Sequence, residues 1–382
     1  MNRFVRWSLA AAASALLVAC GGGGSDSTPR QSASSVKVFG DSLADVGTFG
    51  IKFTVQGAQT RIYPERVAMA YGLSAGCPFF IFNGTGFAAN TTVGCTNYAI
   101  GGGVINRASS GLSEQDPRTI NVQITTATLG GNFAAGDLLL IDGGGNDASA
   151  LVGAYLKVPA DGAAAYRALL GTQLTPDQVI AAVTGGAPGL ARAGGLYMTA
   201  LAGTFYAQIK AGALDKGAQR VVLINLPPIT DTPRFQMVLD GIAAASAPNG
   251  AAARAQSETL FRGWVAAFND ELARLVAGDA RVRIFDAAKA IDDVVAQPAQ
   301  FSVSNASTPA CPITGMGSDG LPTYTFATCT DTALSAAPPT GATGGANWWH
   351  SYYFSDGFHP SPYGHQLAFQ GIAKVLAEAG WL

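Results

Sequence analysis

The chain has three histidines, His350, His359 and His365, and only His359 stands in a context suited to general-base chemistry. It lies in DGFHP, three residues after Asp356 and directly before Pro360. An acid and an imidazole so spaced in a tight, glycine-containing turn set the carboxylate against Nδ1, fixing the tautomer that leaves Nε2 free to take a proton. His350 follows two tryptophans with no acid nearby, and His365 opens the last helical pattern. Packing or capping is the expectation for those two.

A base of this kind serves a hydroxyl nucleophile. In GDSLADVG, residues 40–47, an apolar run breaks at Gly40 and Asp41, Ser42 and Asp45 follow at once. Residue 42 then falls at the carboxyl end of a buried strand, where sites form in α/β sheets. Ser42 is the candidate nucleophile and Asp41 a shaper of the turn, although the stretch taken alone better fits a helix cap. Attack on an ester carbonyl also requires donors for the developing oxyanion. Gly102 in NYAIGGG offers a backbone N–H that a substrate can approach closely, and Asn146 in GGND offers a side-chain amide on the loop after another buried strand. The expected chemistry is acyl transfer to Ser42 and then to water, with no metal or organic cofactor.

Two other patterns are decoys. GLSAG at 72–76 matches the nucleophile elbow of α/β-hydrolases, but that motif needs a strand before it and a helix after it. Here the helix-like PERVAMAY precedes it and Cys77-Pro78 follows. The glycine run 101–103 lacks the spacing of a dinucleotide fingerprint.

GDSLADVG, NYAIGG, GGND and DGFHP, in this order, resemble the four blocks of the GDSL, or SGNH, hydrolases. LPPITDTP at 226–233 and QPAQFSVSN at 297–305, followed by Cys311, resemble further segments of the larger GDSL lipase/esterase group. The resemblance covers about residues 35–382. It implies a flavodoxin-like three-layer α/β/α sandwich with a mostly parallel sheet. It also implies Ser42 as nucleophile, Asp356 and His359 as the rest of a triad, and an oxyanion hole built from Ser42 N–H, Gly102 N–H and Asn146 Nδ2. Gly102 is chosen from three consecutive glycines because the family's glycine stands five residues after an asparagine, here Asn97.

The elements that must position these residues are legible as alternating patterns. Short apolar runs at 36–39, 138–141, 221–226 and 282–285 predict buried parallel strands. Apolar residues recurring every three or four positions predict helices over 196–213 and 257–277 and another from His365 to the end of the chain. Strands alternating with helices indicate a doubly wound α/β domain. Two low-complexity stretches, 243–253 and 335–345, read as surface loops, and the Ala- and Gly-rich 152–188 reads as a helical insertion that covers the substrate cleft.

Composition sets the context. Lys and Arg total 23 against 25 Asp and Glu, so there is no field to draw nucleic acid or an anionic membrane. Residues 1–19 carry Arg3 and Arg6 and then an apolar run too short to span a bilayer, as in a signal peptide. LVAC resembles the bacterial lipobox, which makes Cys20 the lipidated first residue of the mature chain, and 20–34 has the composition of a flexible linker to the domain at 35–382. Gly21 stands where inner-membrane lipoproteins retain an aspartate, so an exported protein held at the outer membrane or surface of a Gram-negative cell is expected. The other cysteines, Cys77, Cys95, Cys311 and Cys329, are even in number and equally spaced in pairs. Bridges 77–95 and 311–329 are the simplest of three connectivities in an oxidising compartment. The expected partners are a small-molecule or lipid ester substrate and the membrane, through the lipid anchor, and not nucleic acid. An acyltransferase on the same scaffold and a non-catalytic surface lipoprotein are the alternative functions. The complete set Ser42, Gly102, Asn146, Asp356 and His359 weighs against the second.

Overall fold

The computed structural model describes residues 32–382. The signal peptide read over 1–19, the lipidation site read at Cys20 and the linker as far as residue 31 lie outside the described residues. In chain order the strands are β1 (Ser35–Phe39), β2 (Phe80–Phe82), β3 (Phe87–Ala89), β4 (Asp137–Ile141), β5 (Val221–Ile224), β6 (Val282–Phe285), β7 (Gly315–Met316) and β8 (Pro322–Thr323). The helices are α1 (Tyr63–Ala70), α2 (Ile120–Ala127), α3 (Gly145–Leu156), α4 (Val158–Asp161), α5 (Ala164–Leu170), α6 (Pro176–Thr184), α7 (Gly186–Gly212), α8 (Pro233–Ala245), α9 (Gly250–Val276), α10 (Ala287–Ala296), α11 (Asp331–Ala336) and α12 (Pro362–Glu378).

The four short apolar runs pair in the order β1-β4-β5-β6, all parallel. A strand with aliphatic residues at successive positions must be covered on both faces, because alternate side chains point to opposite sides. Leu138 and Leu140 of β4 accordingly join a layer with Val67 of α1 and Ile372 and Leu376 of α12. Leu139 and Ile141 join the opposite layer, with Leu201 and Phe205 of α7 and Phe268 of α9. The four β4 side chains are fully buried, each worth on the order of 1.5–3 kcal/mol of apolar burial. The result is the expected α/β/α sandwich.

The free edge of β1 is occupied by the extended segment 96–100, through Val38 N–H to Thr96 O at 3.1 Å and Tyr98 N–H to Val38 O at 2.7 Å. Chain therefore leaves β1 toward both sides, and the loops after β1, after 96–100 and after β4 share one carboxyl edge. That crevice is where α/β sheets bind ligands.

Some boundaries differ from expectation for physical reasons. The run 221–226 stops being strand after Ile224, because the Asn269 side chain takes over the backbone of Leu226, accepting its N–H at 2.9 Å and donating to its C=O at 2.8 Å. The stretch 243–253 is not a loop. Alanine is the best helix former, so α8 continues to Ala245 and α9 starts at Gly250, with only 246–249 between them. The helices read at 196–213 and 257–277 begin earlier, at Gly186 and Gly250. Of 335–345, only the start belongs to α11, and the remainder is irregular up to the 3-10 turn Gly345–Ser351.

Candidate active site

β1 ends at Phe39, and the backbone turns at Gly40 because a side chain there has no room. A Cβ on Gly40 would lie 1.7 Å from Asp142 Oδ1, and the φ of +155° is one that other residues rarely adopt. Asp41 then shapes the turn, its Oδ1 accepting the N–H of Leu43 at 3.0 Å and its carbonyl the N–H groups of Ala44 and Asp45. Ser42 is left at the lip of the sheet.

The DGFHP turn brings Asp356 and His359 to the same point from the other end of the chain. His359 Nε2 lies 2.7 Å from Ser42 Oγ, and Nδ1 lies 2.9 Å from each Asp356 oxygen. Asp356 Oδ1 also accepts the N–H groups of Phe358 at 2.8 Å and His359 at 2.7 Å, so the carboxylate is held in place by the turn itself. Burial alone would push the His359 imidazole down. The Asp356 charge and hydrogen bond, with the Asp41 charge behind them, overcome it, and the imidazole is held above its ordinary value of 6.5. Burial likewise works against the Asp356 carboxylate, but His359 and the two turn N–H donors bring it below the ordinary range.

The glycine run becomes distinguishable in three dimensions. Gly101 N–H donates to Asp45 Oδ2 at 2.9 Å and Gly103 N–H to Ile100 O at 2.9 Å. Among the described residues the N–H groups of Gly102 and Ser42 have no hydrogen-bond acceptor, and both residues line one cavity with Asn146 and His359. Gly102 has φ +80°, in the left-handed region, and open space on its Cβ side. Asn146 stands in the first turn of α3, and its Nδ2 donates to Gly103 O at 2.8 Å, leaving a second amide hydrogen.

Residues that sequence reasoning passed over hold these loops together. Asp45 accepts Gly47 and Thr48 N–H on Oδ1, each at 2.8 Å, and Gly101 N–H on Oδ2, which ties the Ser42 turn to the glycine loop. Asn97 donates to Ala44 O at 2.7 Å. Asp147 accepts Ile105 N–H at 3.0 Å and Asn106 N–H at 2.9 Å, and burial pushes its carboxyl up to about 6. Asp45, Asn97 and Asp147 sit inside the quoted blocks, and the signal was an acid or amide there beyond the residues given a chemical role.

The other two histidines lie elsewhere. His350 is exposed and packs edge-on against Trp349, ring centroids 4.2 Å apart. His365 is buried in the first turn of α12, where its Nδ1 accepts Tyr63 N–H at 3.4 Å; burial pushes it down to about 3. The disulfides Cys77–Cys95 and Cys311–Cys329 form as expected, each closing a loop that carries a two-stranded hairpin. The GLSAG stretch has no strand before it and no helix after it.

The cavity at Ser42 has a volume of about 890 Å³ and a largely apolar wall that includes Phe53, Ile229 and Phe358. From Ser42 it reaches back between α10 and α12, past Ala290 and Ala368. The region 152–188 is helical, as expected, but it does not cover this cleft. Among the described residues none from 152–188 lines it; α6 packs instead on α7, and α5 on α3 and α4.

A parallel sheet between two helical layers, with serine, asparagine and a His–Asp pair meeting at its carboxyl edge, is the architecture of the SGNH-type α/β/α hydrolases. The chain belongs to the GDSL-like lipase/acylhydrolase family, whose model matches residues 36–372. The activity this assigns in general terms is ester hydrolysis. No curated protein matches the chain.

Proposed function

We propose that the protein is a carboxylic ester hydrolase that works through an acyl-enzyme on Ser42. The observation that carries this reading is the unbroken contact from Asp356 through His359 to Ser42 Oγ, with 2.9 Å on one side of the imidazole and 2.7 Å on the other. His359 Nε2 takes the Ser42 proton as Oγ attacks the ester carbonyl. Asp356 stabilises the imidazolium that results. The tetrahedral oxyanion is received by Ser42 N–H, Gly102 N–H and the free hydrogen of Asn146 Nδ2, which stand ready without reorganisation. The imidazolium then protonates the leaving alcohol, and water activated by the same imidazole releases the acid. A cavity of about 890 Å³ with an apolar wall supports an ester with an apolar acyl or alkyl part.

Ser42→Ala tests the reading. A folded variant should lose ester hydrolysis and fluorophosphonate labelling together, and substantial residual turnover would remove Ser42 as nucleophile. The N-terminal sequence supports a further part of the proposal, that the enzyme is exported and tethered to a membrane through lipidated Cys20. Cys20→Ser should then move the activity from the membrane fraction to the soluble one, and retention in the membrane would count against the tether.

A further inference from the structure

We propose that Asp142 and Tyr63 are positioning residues for the nucleophile: from beneath the turn they hold the backbone of Asp41, and thereby the place of Ser42 Oγ against His359. The inference rests on the reading of Ser42 as nucleophile. Asp142 directly follows β4, the neighbour of β1. Its Oδ1 accepts Asp41 N–H at 3.0 Å, and its Oδ2 accepts the Tyr63 hydroxyl of α1 at 2.6 Å. One residue earlier, Gln123 of α2 accepts Gly40 N–H at 2.8 Å and donates to Gly40 O at 2.9 Å. Both residues before Ser42 are thus gripped by side chains from other elements, whereas Ser42 N–H faces the cavity with no protein acceptor among the described residues. A turn clamped at Gly40 and Asp41 fixes Oγ while leaving the Ser42 N–H for the substrate.

The chemistry of the clamp is as specific as its geometry. A second acid beside buried Asp41 is an expensive choice for a spacer. Burial, and then the Asp41 charge, push the Asp142 carboxyl up to about 8. The titratable groups around it are Asp41 on the nucleophile turn and Tyr63 on α1. Behind Tyr63 lies His365 of α12, ring centroids 6.2 Å apart, and burial keeps that imidazole neutral. Neither ring supplies a cation. In its protonated form the carboxyl accepts the Asp41 N–H without placing another negative charge near the serine, where it would oppose the oxyanion. An amide keeps the acceptor for Asp41 N–H and reverses the bond to Tyr63, its NH₂ donating to the phenolic oxygen that donates to the carboxyl.

The experiment compares kcat, KM and thermal stability of Asp142→Ala, Asp142→Asn, Tyr63→Phe and Ser42→Ala on a p-nitrophenyl ester at pH 7. Asp142→Ala should lower kcat by roughly 10–100-fold with KM little changed, the effect of misplacing a reacting atom by about 1 Å. Asp142→Asn should restore most of kcat, and Tyr63→Phe should lower kcat by less than Asp142→Ala does, again at constant KM. Wild-type kcat in both Asp142→Ala and Tyr63→Phe, with Ser42→Ala dead, overturns the clamp and leaves the Ser42 reading standing. An asparagine as damaging as the alanine also overturns it, because the neutral hydrogen bond would then not be what matters. An active Ser42→Ala removes the reading and the clamp with it. If Asp142→Ala does not fold, Tyr63→Phe, which deletes a single hydroxyl, decides: a lowered kcat upholds the clamp and an unchanged one ends it.

Discussion

Phe326 stands edge-on to the imidazole of His359, ring centroids 5.5 Å apart at 78°, and it belongs to the loop closed by the Cys311–Cys329 disulfide. Phe53 packs on the same imidazole at 5.3 Å and on Phe326 at 5.7 Å. The other disulfide loop reaches the site at one remove, since Phe82 touches Phe49, which touches Phe53. Both bridges close loops of similar length, so in the chain-entropy account each stabilises the fold by about 3 kcal/mol. Their effects on catalysis should differ. Replacing Cys311 and Cys329 by serine should lower kcat as well as the unfolding midpoint, while the same change at Cys77 and Cys95 should act mainly on stability. Equal kinetic losses at equal destabilisation would refute this division.

The three histidines should separate cleanly in turnover. His359→Ala is expected to lower kcat by about 10⁵-fold or more, and Asp356→Asn by about 10³- to 10⁴-fold, since the imidazole survives without the partner that orients it. His350→Ala, at an exposed ring contact, should leave kcat near wild type. His365→Ala should cost stability far more than turnover, because a fully buried side chain is removed from the first turn of α12. Steady-state kinetics beside thermal melts on the four variants provide the comparison. A dead but stable His350→Ala would contradict the assignment of the base.

The pH dependence carries a sign. His359 must be neutral to act, and its imidazole is held above 6.5, so kcat/KM should rise with pH through a midpoint above that value. Asp356→Asn removes the charge that raises it and leaves the burial that lowers it, so the residual activity should titrate at lower pH. Stability behaves differently at the two buried imidazoles. The raised His359 contributes stability that is present below 6.5 and lost as pH rises through its folded value. His365, pushed down to about 3, stays uncharged in the fold while the unfolded chain takes up a proton, so its contribution is lost as pH falls from 6.5 toward 3. Urea unfolding from pH 4 to 7 should show this acid loss in the wild type and a shallower one in His365→Gln.

Two glycines should respond differently to the same methyl group. Gly40→Ala drives a Cβ onto Asp142 Oδ1, and overpacking of that kind should cost about 3 kcal/mol or more together with the geometry of the turn. Gly102→Ala meets no atom within 4 Å and pays only for its left-handed backbone, about 1–2 kcal/mol, while keeping the N–H that faces the cavity. Melting temperatures and kcat for the pair would expose an error in either placement, most plainly if Gly102→Ala were the less stable protein.

The sequence by itself determined the layers and singled out the residues that the fold brings together at Ser42. Apolar runs of four to six residues separated by amphipathic helices admit little besides a two-sided parallel sheet, and Ser42, Asn146 and the Asp356–His359 pair sit in short motifs whose chemistry is readable over a few residues. Helix limits in the alanine-rich 243–253 were not legible, because composition that looks like low complexity is also strong helix propensity. Nor was the placement of the helices at 152–188, which depends on which face of α7 is free to receive them. The distinction of Gly102 from its neighbours needed the tertiary structure as well: Gly101 and Gly103 spend their N–H groups on Asp45 and Ile100, and only folding reveals which donor is left over. The clamp of Asp142 and Tyr63 beneath Ser42 was invisible for the same reason. Hydrogen bonds between residues separated by 79 and 101 positions leave no periodic or local trace in a chain, so only the close approach of β4 and α1 to the end of β1 decides them.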